Sequence, residues 1–405
     1  MDARYGMRGA TGVSEGPAGT RAQQPWAAGR KLLFLVTEDW YFCSHRLPVA
    51  RAARDAGFQV LVATRVDRHG ERIRSEGFRL VELPWRRRSR NLLRELSTLR
   101  LLWRLYRREA PDIVHHVALK PALYGAIVGP RGLRAVSTVA GLGYLFTSTT
   151  LRARLLRPAI RMALKRMCRR PGARAIVQNP DDRAALTAAG IVGDDRVAVI
   201  RGSGVDVERF TPTDEPEGTV TATMVARMLW SKGVREMVTA ARLLSERGAD
   251  VRVVLVGEPD DENPESVPVE QLRAWARQGL IEWRGHQDDM PGVLRATHIA
   301  VLPTYREGLP MTLLEAAASG RAIVATDVPG CREIVRDGEN GLLVPCRDAG
   351  ALAAAIATLA ADPERRRRMG ACGREMVAAF AQEVVAADTL ALYRSMLEGT
   401  GGTRG

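Results

Sequence analysis

The sequence predicts an α/β protein of two doubly wound domains, and three observations support this prediction. The chain has 405 residues, which is more than a single hydrophobic core usually holds. Short apolar runs alternate with helical patterns in both halves, as in parallel sheets that are covered by helices on both faces. Between the halves, a Gly-Ser-Gly turn at 202–204 and a stretch rich in proline and acidic residues at 211–218 indicate a hinge.

The first half, residues 30–203, is predicted to form one Rossmann-like domain. A continuous apolar run at 31–37 predicts a buried strand, and a helical pattern at 47–56 ends at Gly57. Further apolar runs predict strands at 58–63, 79–83, 113–116, 135–139, 175–177 and 197–200. Residues 1–29 lack periodicity and are rich in glycine, alanine and arginine, so they are predicted to be a disordered tail.

The second half, residues 219–380, repeats the same alternation after a hinge at 204–218. Its apolar runs predict strands at 220–226, 251–256, 280–283, 299–302, 322–326 and 341–344. Residues 399–405 are predicted to be a second disordered tail. Ligands of doubly wound sheets bind beyond the carboxyl ends of the strands, so the site is expected in a cleft between the two domains.

The net charge of +14 is concentrated in two segments of the first half. Residues 86–108 contain nine arginines and a single acid, Glu95, and residues 152–174 contain nine lysines or arginines and no acid. In the first segment, leucines and aromatic residues recur at helical spacing, and such a basic amphipathic helix is typical of proteins that bind an anionic membrane surface. The alternative is a helix that packs on the sheet and exposes a solvated basic face. Low aromatic content and the lack of a nucleic-acid motif argue against nucleic-acid binding.

Two further features bear on the compartment. The five cysteines show no paired spacing, which indicates neither a zinc site nor a disulfide framework and fits a reducing environment. No run of about 18 apolar residues predicts a membrane-spanning helix, and no segment has the apolar core of a signal peptide. We therefore expect a cytoplasmic protein without a bilayer-crossing helix.

The stretch at 303–320 carries the strongest sign of a binding site. A buried strand at 299–302 leads into a turn with Gly308, and Pro310 is placed where a helix begins. Free backbone N–H groups at such a helix start suit a phosphate. Glu307 lies in the turn and Glu315 lies within an apolar helical pattern, where a carboxylate needs a hydrogen-bonding partner such as a ribose hydroxyl. The alternative is that both glutamates are solvated surface charges.

Four blocks in this order resemble the fourth family of retaining glycosyltransferases. The pair formed by Glu307 and Glu315 resembles the paired glutamates of that family, and Ala226-Arg-Met-Leu-Trp-Ser-Lys-Gly233 resembles its arginine–lysine phosphate clamp. The stretches at 320–330 and 338–344 resemble its next two blocks. The resemblance spans about residues 31–397 and implies the GT-B fold, which consists of two facing Rossmann-like domains and a C-terminal helix, here 381–398, that crosses back onto the first.

The resemblance also implies a reaction and a set of donor contacts. The expected activity is metal-independent, retaining transfer of a sugar from a UDP-sugar, with no cofactor and no protein nucleophile. The implied donor contacts are the diphosphate to Arg227, Lys232 and the backbone amides near Gly308 and Leu309, the ribose to Glu315, and the donor sugar to Glu307.

Other candidate residues rest on their position at strand ends. Gly257 is expected to let the nucleotide approach, and His286 is a candidate neighbour of the base or else a loop histidine without a role. Relatives contact the donor sugar with a histidine from the first domain, which makes His116 a candidate together with Lys120. Alternation along the strand allows at most one of His115 and His116 to face the cleft.

A narrower resemblance concerns mainly the second domain. The pieces at 226–233, 261–264, 305–320 and 329–333 resemble bacterial N-acetylgalactosaminyltransferases that act on undecaprenyl-diphosphate-linked sugars. This resemblance implies a UDP-N-acetylhexosamine donor and a polyprenyl-diphosphate-linked acceptor at the inner face of the plasma membrane, where the basic helices would contact anionic lipid. Two alternatives stay open, namely a UDP-sugar 2-epimerase of the same fold and a non-catalytic nucleotide-sugar binder.

Overall fold

The computed structural model describes residues 25–85, 91–138 and 151–399. Within these residues the chain forms two parallel sheets, one of seven strands and one of six. Helices lie between successive strands, so both halves have the doubly wound arrangement that the sequence predicts. The predicted glycine turn of the hinge, 202–204, lies between the last strand of the first sheet and the first strand of the second.

The N-terminal sheet has the order β3-β2-β1-β4-β5-β6-β7, with every pair parallel. Its central strand β1 is apolar because helices cover both of its faces, and residues 32–36 are fully buried. The strands are β1 Lys31–Glu38, β2 Gln59–Arg65, β3 Arg79–Glu82, β4 Ile113–Val117, β5 Arg134–Thr138, β6 Ala173–Val177 and β7 Val197–Val199. The helices are α1 Asp39–His45, α2 Leu47–Asp55, α3 Gly70–Ser75, α4 Leu92–Glu109, α5 Leu119–Val128, α6 Leu151–Cys168 and α7 Pro180–Ala188.

The C-terminal sheet has the order β10-β9-β8-β11-β12-β13, also with every pair parallel. Its strands are β8 Val220–Val225, β9 Val251–Val256, β10 Glu282–Trp283, β11 Ile299–Leu302, β12 Ala322–Thr326 and β13 Gly341–Val344. The helices are α8 Val234–Glu246, α9 Val269–Arg277, α10 Met290–Arg295, α11 Met311–Ala318, α12 Pro329–Arg332, α13 Ala349–Ala361, α14 Pro363–Met376 and α15 Gln382–Glu398.

The last helix, α15, returns to the N-terminal domain, as the sequence predicts. Val385 and Tyr393 belong to the apolar core beneath α2 and β1, and Tyr393 is completely buried. The Tyr393 hydroxyl lies 2.5 Å from Nδ1 of His115 on β4. At the entry to the helix, Gln382 N–H donates to the carbonyl of Val205 over 3.0 Å. The crossover therefore combines apolar packing with a buried polar contact.

The carboxyl ends of the two sheets face each other. Asn179, which follows β6, donates to the carbonyl of Gly308, which follows β11, over 2.8 Å. The Arg201 guanidinium, after β7, lies 3.7 Å from the Glu333 carboxylate, after β12. The Arg65 guanidinium, at the end of β2, lies 3.8 Å from the carboxylate of Glu262, in the loop after β9. The strand ends that carry the predicted site residues therefore border one interdomain cleft.

The N-terminal boundary differs from the predicted one. The sequence places residues 1–29 in a tail, but Ala27 is buried and its N–H donates to the carbonyl of Ala56 over 3.1 Å. Trp26 packs edge-on against Phe58, with ring centroids 5.4 Å apart. These two side chains extend the core around β2, which a periodicity argument cannot detect in so short a segment. The rest of that predicted tail (1–24), and residues 400–405 of the second one, lie outside the described residues.

Candidate functional site

Two loops of the C-terminal domain lie side by side at the cleft. One follows β8 and includes residues 226–233, and the other follows β11 and includes residues 303–310. Tyr305 N–H donates to the carbonyl of Ser231 over 2.9 Å, and the Thr304 hydroxyl donates to the same carbonyl over 3.3 Å. A side chain at Gly233 would collide with the Pro303 carbonyl, so glycine is required for this close approach.

Lys232 and Glu307 form an ion pair between these loops. Lys232 Nζ contacts Glu307 Oε1 directly, and both side chains are about one-fifth exposed, at 20% and 18%. The sequence assigns Lys232 to the diphosphate and Glu307 to the donor sugar. The structure brings the two side chains into contact, so each neutralises the charge of the other.

Arg227 lies on the same loop as Lys232 and pairs with a different carboxylate. Its guanidinium donates to Asp260 in the loop after β9 over 2.7 Å, and its side chain is 49% exposed. The Asp260 side chain is mostly covered, at 15% exposed. The two predicted clamp residues therefore come from one loop and reach the cleft with a carboxylate partner each.

The start of α11 supplies backbone donors beside Lys232. Pro310 is the N-cap, so the helix begins one residue later than its predicted start. Within the described residues, the N–H groups of Gly308 and Leu309 make no hydrogen bond to the protein. Unpaired N–H groups at a helix start attract an anion through their partial positive charge. Backbone and side chain thus offer positive charge on two adjacent loops.

Glu315 lies on the second turn of α11 and is part-buried. Burial raises the pKa of its carboxyl group to about 7, and the charge of Arg209 opposes that rise. Among the described residues, no side chain or backbone N–H donates to this carboxylate. A partly buried carboxylate without a protein donor is costly unless a ligand supplies one, and a ribose hydroxyl is such a donor.

Gly257 and His286 lie beyond the ends of β9 and β10. Gly257 has a φ of +131° and its N–H donates to the carbonyl of Gly285 over 2.7 Å. A side chain at Gly257 would collide with the carbonyl of Ala226, so this position holds two strand ends close together. His286 is exposed and its Nε2 lies 3.1 Å from a carboxylate oxygen of Asp288. The backbone at Gly257 contacts the loop at 226–233, here called the clamp loop, whereas the histidine points into solvent.

The placement of His116 requires a correction. His116 is 1% exposed, with Nε2 at 3.0 Å from the Tyr106 hydroxyl and Nδ1 at 3.2 Å from the Ser137 hydroxyl. Burial lowers the pKa of its imidazole to about 3. His115, on the other face, is equally buried against α15. Both histidines are core residues, because the middle of β4 is covered by helices on both sides.

Lys120 is also engaged within the N-terminal domain. Its ammonium lies 3.0 Å from a carboxylate oxygen of Glu95 on α4 and 5.2 Å from the ring centroid of Tyr124. The ring of Trp85, which follows β3, lies 5.7 Å away. This cluster lies at the carboxyl end of the sheet, but it faces α4 and α5. The structure does not bring Lys120 together with Lys232 and Glu307.

Sequence reasoning missed the residues that approach the donor loops from the N-terminal domain. These are Gln178, Asn179 and Asp182, at the end of β6 and the start of α7. Asp182 accepts from the Arg306 guanidinium over 3.1 Å, and Asn179 donates to Gly308. The Asn-Pro pair at 179–180 marks a helix start in the sequence. Nothing local, however, indicates that this helix start faces the other domain.

The N-terminal domain exposes an apolar strip that the arginines of α4 flank. Leu93 is 78% exposed, Leu96 is 60% exposed and Trp103 is 43% exposed on α4, and Ile127 at the end of α5 is 66% exposed. These four residues are here called the apolar strip. Arg107 stacks over the Trp103 ring at 4.9 Å. Within the described residues, no helix has the length and apolar character needed to span a bilayer.

Metal ligands are not gathered at the cleft in the part of the chain that the structure describes. There, no three His, Cys, Asp or Glu side chains lie close enough to share a metal ion. All five cysteines are free thiols, in line with the unpaired spacing of the sequence. Arg227, Lys232 and the start of α11 supply positive charge at the cleft.

Both halves of the chain match known protein families. Residues 207–376 match the family described as glycosyl transferases group 1. Residues 31–173 match the family described as glycosyl transferase 4-like. The first match contains the clamp loop, the paired glutamates and α11, and the second contains most of the N-terminal sheet.

Curated relatives are also glycosyltransferases. A protein of Campylobacter jejuni, named N,N'-diacetylbacillosaminyl-diphospho-undecaprenol alpha-1,3-N-acetylgalactosaminyltransferase, is 25% identical over 368 residues, which cover 87% of this chain and 95% of that protein. A protein of Bacillus subtilis named putative glycosyltransferase EpsD is 30% identical over 215 residues, covering 50% of this chain and 56% of that protein.

Solved structures share the two-domain architecture. Sucrose-phosphate synthase from Thermosynechococcus elongatus superposes with a TM-score of 0.77 at 22% identity, covering 92% of this chain and all of that one. HepE from Anabaena, in complex with UDP and glucose, superposes with a TM-score of 0.74 at 18% identity, covering 90% of this chain. At these identities the likeness concerns the fold.

Proposed function

Because this chain belongs to the glycosyltransferases and has their GT-B fold, we propose that it is a retaining enzyme that transfers an N-acetylhexosamine from a UDP-sugar to a lipid-linked saccharide. The observation that carries this proposal is the arrangement at the start of α11. The amides of Gly308 and Leu309, which have no hydrogen-bond partner among the described residues, lie on the loop that also holds Glu307, and Glu307 contacts Lys232. We infer a binding site for the donor diphosphate, with the Glu307 carboxylate beside it to contact the donor sugar.

The donor binds with its diphosphate at the clamp loop and the start of α11. Arg227 exchanges part of its contact with Asp260, and Lys232 part of its contact with Glu307, for diphosphate oxygens. Arginine suits this task because its planar group binds two oxygens at once. Glu315 accepts from the ribose hydroxyls, and Gly257 leaves room for the nucleotide. Glu307, released from Lys232, contacts the donor sugar.

The reaction needs charge stabilisation more than a protein nucleophile. As the bond between the anomeric carbon and the phosphate oxygen breaks, negative charge develops on the departing UDP. Lys232, Arg227 and the amides stabilise that charge in place. The acceptor hydroxyl attacks the same face of the sugar and passes its proton to the leaving phosphate, which retains the configuration. No metal is required for this charge balance.

The acceptor side is proposed from the relatives and from the N-terminal surface. The Campylobacter relative is named for an acceptor that carries undecaprenyl diphosphate. An acceptor of that class resides in a membrane, and the apolar strip with its flanking arginines suits an anionic bilayer surface. The enzyme would therefore act at the inner face of the plasma membrane, as a peripheral protein.

The test is transfer of sugar from a panel of UDP-sugars to polyprenyl-diphosphate-linked saccharides, followed by mass spectrometry. The expected product is acceptor plus one N-acetylhexosamine, formed equally well after treatment with EDTA. Incubation with UDP-sugar alone tests the second enzyme class, because a 2-epimerase would release epimerised sugar without an acceptor. Binding of UDP without any turnover would favour a non-catalytic binder and would contradict the proposal.

A further inference from the structure

We propose that Asn179 of the N-terminal domain is a positioning residue that orients the peptide between Gly308 and Leu309 for the donor diphosphate. This inference rests on the proposed donor site and assigns that site a contribution from the opposite domain. Asn179 is fully buried at the end of β6, where it begins α7. Its side chain makes three hydrogen bonds, two within the start of α7 and one to the opposite domain.

The first task of Asn179 is local. Its Oδ1 accepts from Asp182 N–H over 2.7 Å, which caps the first turn of α7. Its Nδ2 also donates to an Asp182 carboxylate oxygen over 3.1 Å. These two bonds fix the rotation of the amide group. The remaining Nδ2 hydrogen therefore has a defined direction, toward the other domain.

The second task of Asn179 crosses the cleft. Nδ2 donates to the carbonyl of Gly308 over 2.8 Å. In a planar trans peptide the carbonyl and the next N–H point in opposite directions. A fixed Gly308 carbonyl therefore fixes the Leu309 N–H, which has no protein partner within the described residues. Because the Gly308 carbonyl points at Asn179, the Leu309 N–H points away from Asn179. In this orientation it can donate to an anion at the start of α11.

Close packing leaves this peptide little alternative while the bond holds. A side chain at Gly308 would collide with the Gln178 amide, and a Cβ at Gly330 would lie 2.7 Å from the Gly308 carbonyl oxygen. Two glycines thus permit the N-terminal domain and α12 to enclose one carbonyl. The neighbouring contact between Asp182 and Arg306, at 3.1 Å, joins the same two segments without touching that peptide.

The experiment compares Asn179→Ser with wild type, using UDP and uridine as probes in calorimetric titrations. Serine still caps α7 but is too short to reach Gly308. We expect the affinity for UDP to fall about 5- to 10-fold, which is less than the loss of a direct hydrogen bond to a charged ligand, because the Leu309 N–H is misaimed and not removed. Affinity for uridine, which has no diphosphate, is expected to stay within about 2-fold, because the amide acts on the phosphate only.

Matched variants separate positioning from general damage to the interface. Arg306→Ala removes the adjacent contact and is expected to leave the UDP-to-uridine affinity ratio unchanged. Asn179→Asp keeps the cap and the size but loses both Nδ2 donations, to Gly308 and to Asp182. Asn179→Ser loses the same two, so the aspartate variant should reproduce its loss of affinity even if the serine variant is less stable. In turnover, kcat should fall for both Asn179 variants, while KM for the acceptor stays the same.

The outcomes also separate this inference from the proposed function. Equal loss of UDP and uridine affinity in the Asn179 variants, or no loss of either, would overturn the positioning role while leaving the donor site intact. If the wild-type protein bound UDP no better than uridine, the diphosphate site itself would be wrong.

Discussion

At the scale of single residues, the cleft pairs its functional charges with one another. Lys232 contacts Glu307, and Arg227 donates to Asp260 over 2.7 Å. Each cation is thereby held in place with its charge balanced, and each can exchange that carboxylate for phosphate oxygens with little rearrangement. Glu315 is the exception, because no protein donor reaches its carboxylate within the described residues.

Replacing Lys232 by alanine tests the clamp. The departing UDP loses one charged donor, and removal of one such donor usually lowers the rate about 100- to 1000-fold. We expect a fall of that size in kcat/KM for transfer from the UDP-sugar. Arg273→Ala is the matched control, since it breaks an ion pair at 2.8 Å on the outer face of α9. Full activity in the Lys232→Ala enzyme would remove the clamp from the mechanism.

Glu315 predicts a pH dependence of stability. Burial raises the pKa of its carboxyl group from 4.5 to about 7, so the folded chain holds this proton more tightly than the unfolded chain. The stability that the protonated Glu315 carboxyl gives the fold is therefore present at pH 4.5 and is lost as the pH rises through 7. The loss is about 3 kcal/mol at most. Glutamine has no such charge to bury.

We therefore expect the free energy of unfolding of the Glu315→Gln variant to be about 1 to 3 kcal/mol higher than that of wild type at pH 8. Near pH 4.5 the two values should be equal. Urea denaturation at both pH values measures this, with Glu270→Gln as an exposed control. The same variant should bind UDP more weakly, because an uncharged amide is a poorer acceptor for ribose hydroxyls. A stability difference that does not change with pH would contradict the assignment.

At the scale of secondary-structure elements, the sequence predicts well where the strands lie. It predicts poorly which side chains of some strands face the cleft. Apolar runs identify buried strands because both faces of a doubly wound sheet are covered. The same property misleads at His115 and His116, since alternation along the strand allows one of them to face the cleft, although it excludes both. The cleft lies beyond the ends of the strands, and both histidines lie within β4. Their partners, Tyr393 and Tyr106, come from helices that no local pattern assigns to them.

The helix α4 predicts membrane binding through its exposed apolar side. We expect the double variant Leu96→Ser, Trp103→Ser to bind vesicles that contain anionic phospholipid at least about 10-fold more weakly, because burying these side chains in the interface drives adsorption. Cosedimentation with vesicles measures this. Folding should be little affected, since neither side chain belongs to the buried core, Leu96 being 60% and Trp103 43% exposed. Val384→Ser, which changes an exposed apolar residue of α15, is the control and should bind as wild type does.

At the scale of the whole molecule, the predicted pair of doubly wound domains and the returning helix α15 are confirmed, whereas the contacts across the cleft could not be read from the sequence. Strand and helix patterns are local, and they report how each sheet is built. The approach of Asn179 to Gly308 joins residues 129 positions apart and depends on how two finished domains meet. The ion pair between Lys232 and Glu307 lies within the C-terminal domain, and it depends on β8 and β11 being neighbours in the sheet, which no local pattern reports.

The distribution of charge over the whole molecule gives a last prediction. The net charge is +14, and the two basic segments of the N-terminal half carry more than this total. Raising salt from 0.1 to 1 M shortens the screening length from about 10 Å to about 3 Å. We expect transfer to an acceptor embedded in anionic vesicles to fall at least about 10-fold over this range, because long-range attraction to the bilayer is screened. Transfer to a water-soluble, short-chain acceptor should change less than about 3-fold, since the partly covered pairs at the cleft are screened less. An equal fall with both acceptors would place the salt-sensitive step at the donor site, and the basic segments would then have no part in holding the enzyme at a membrane.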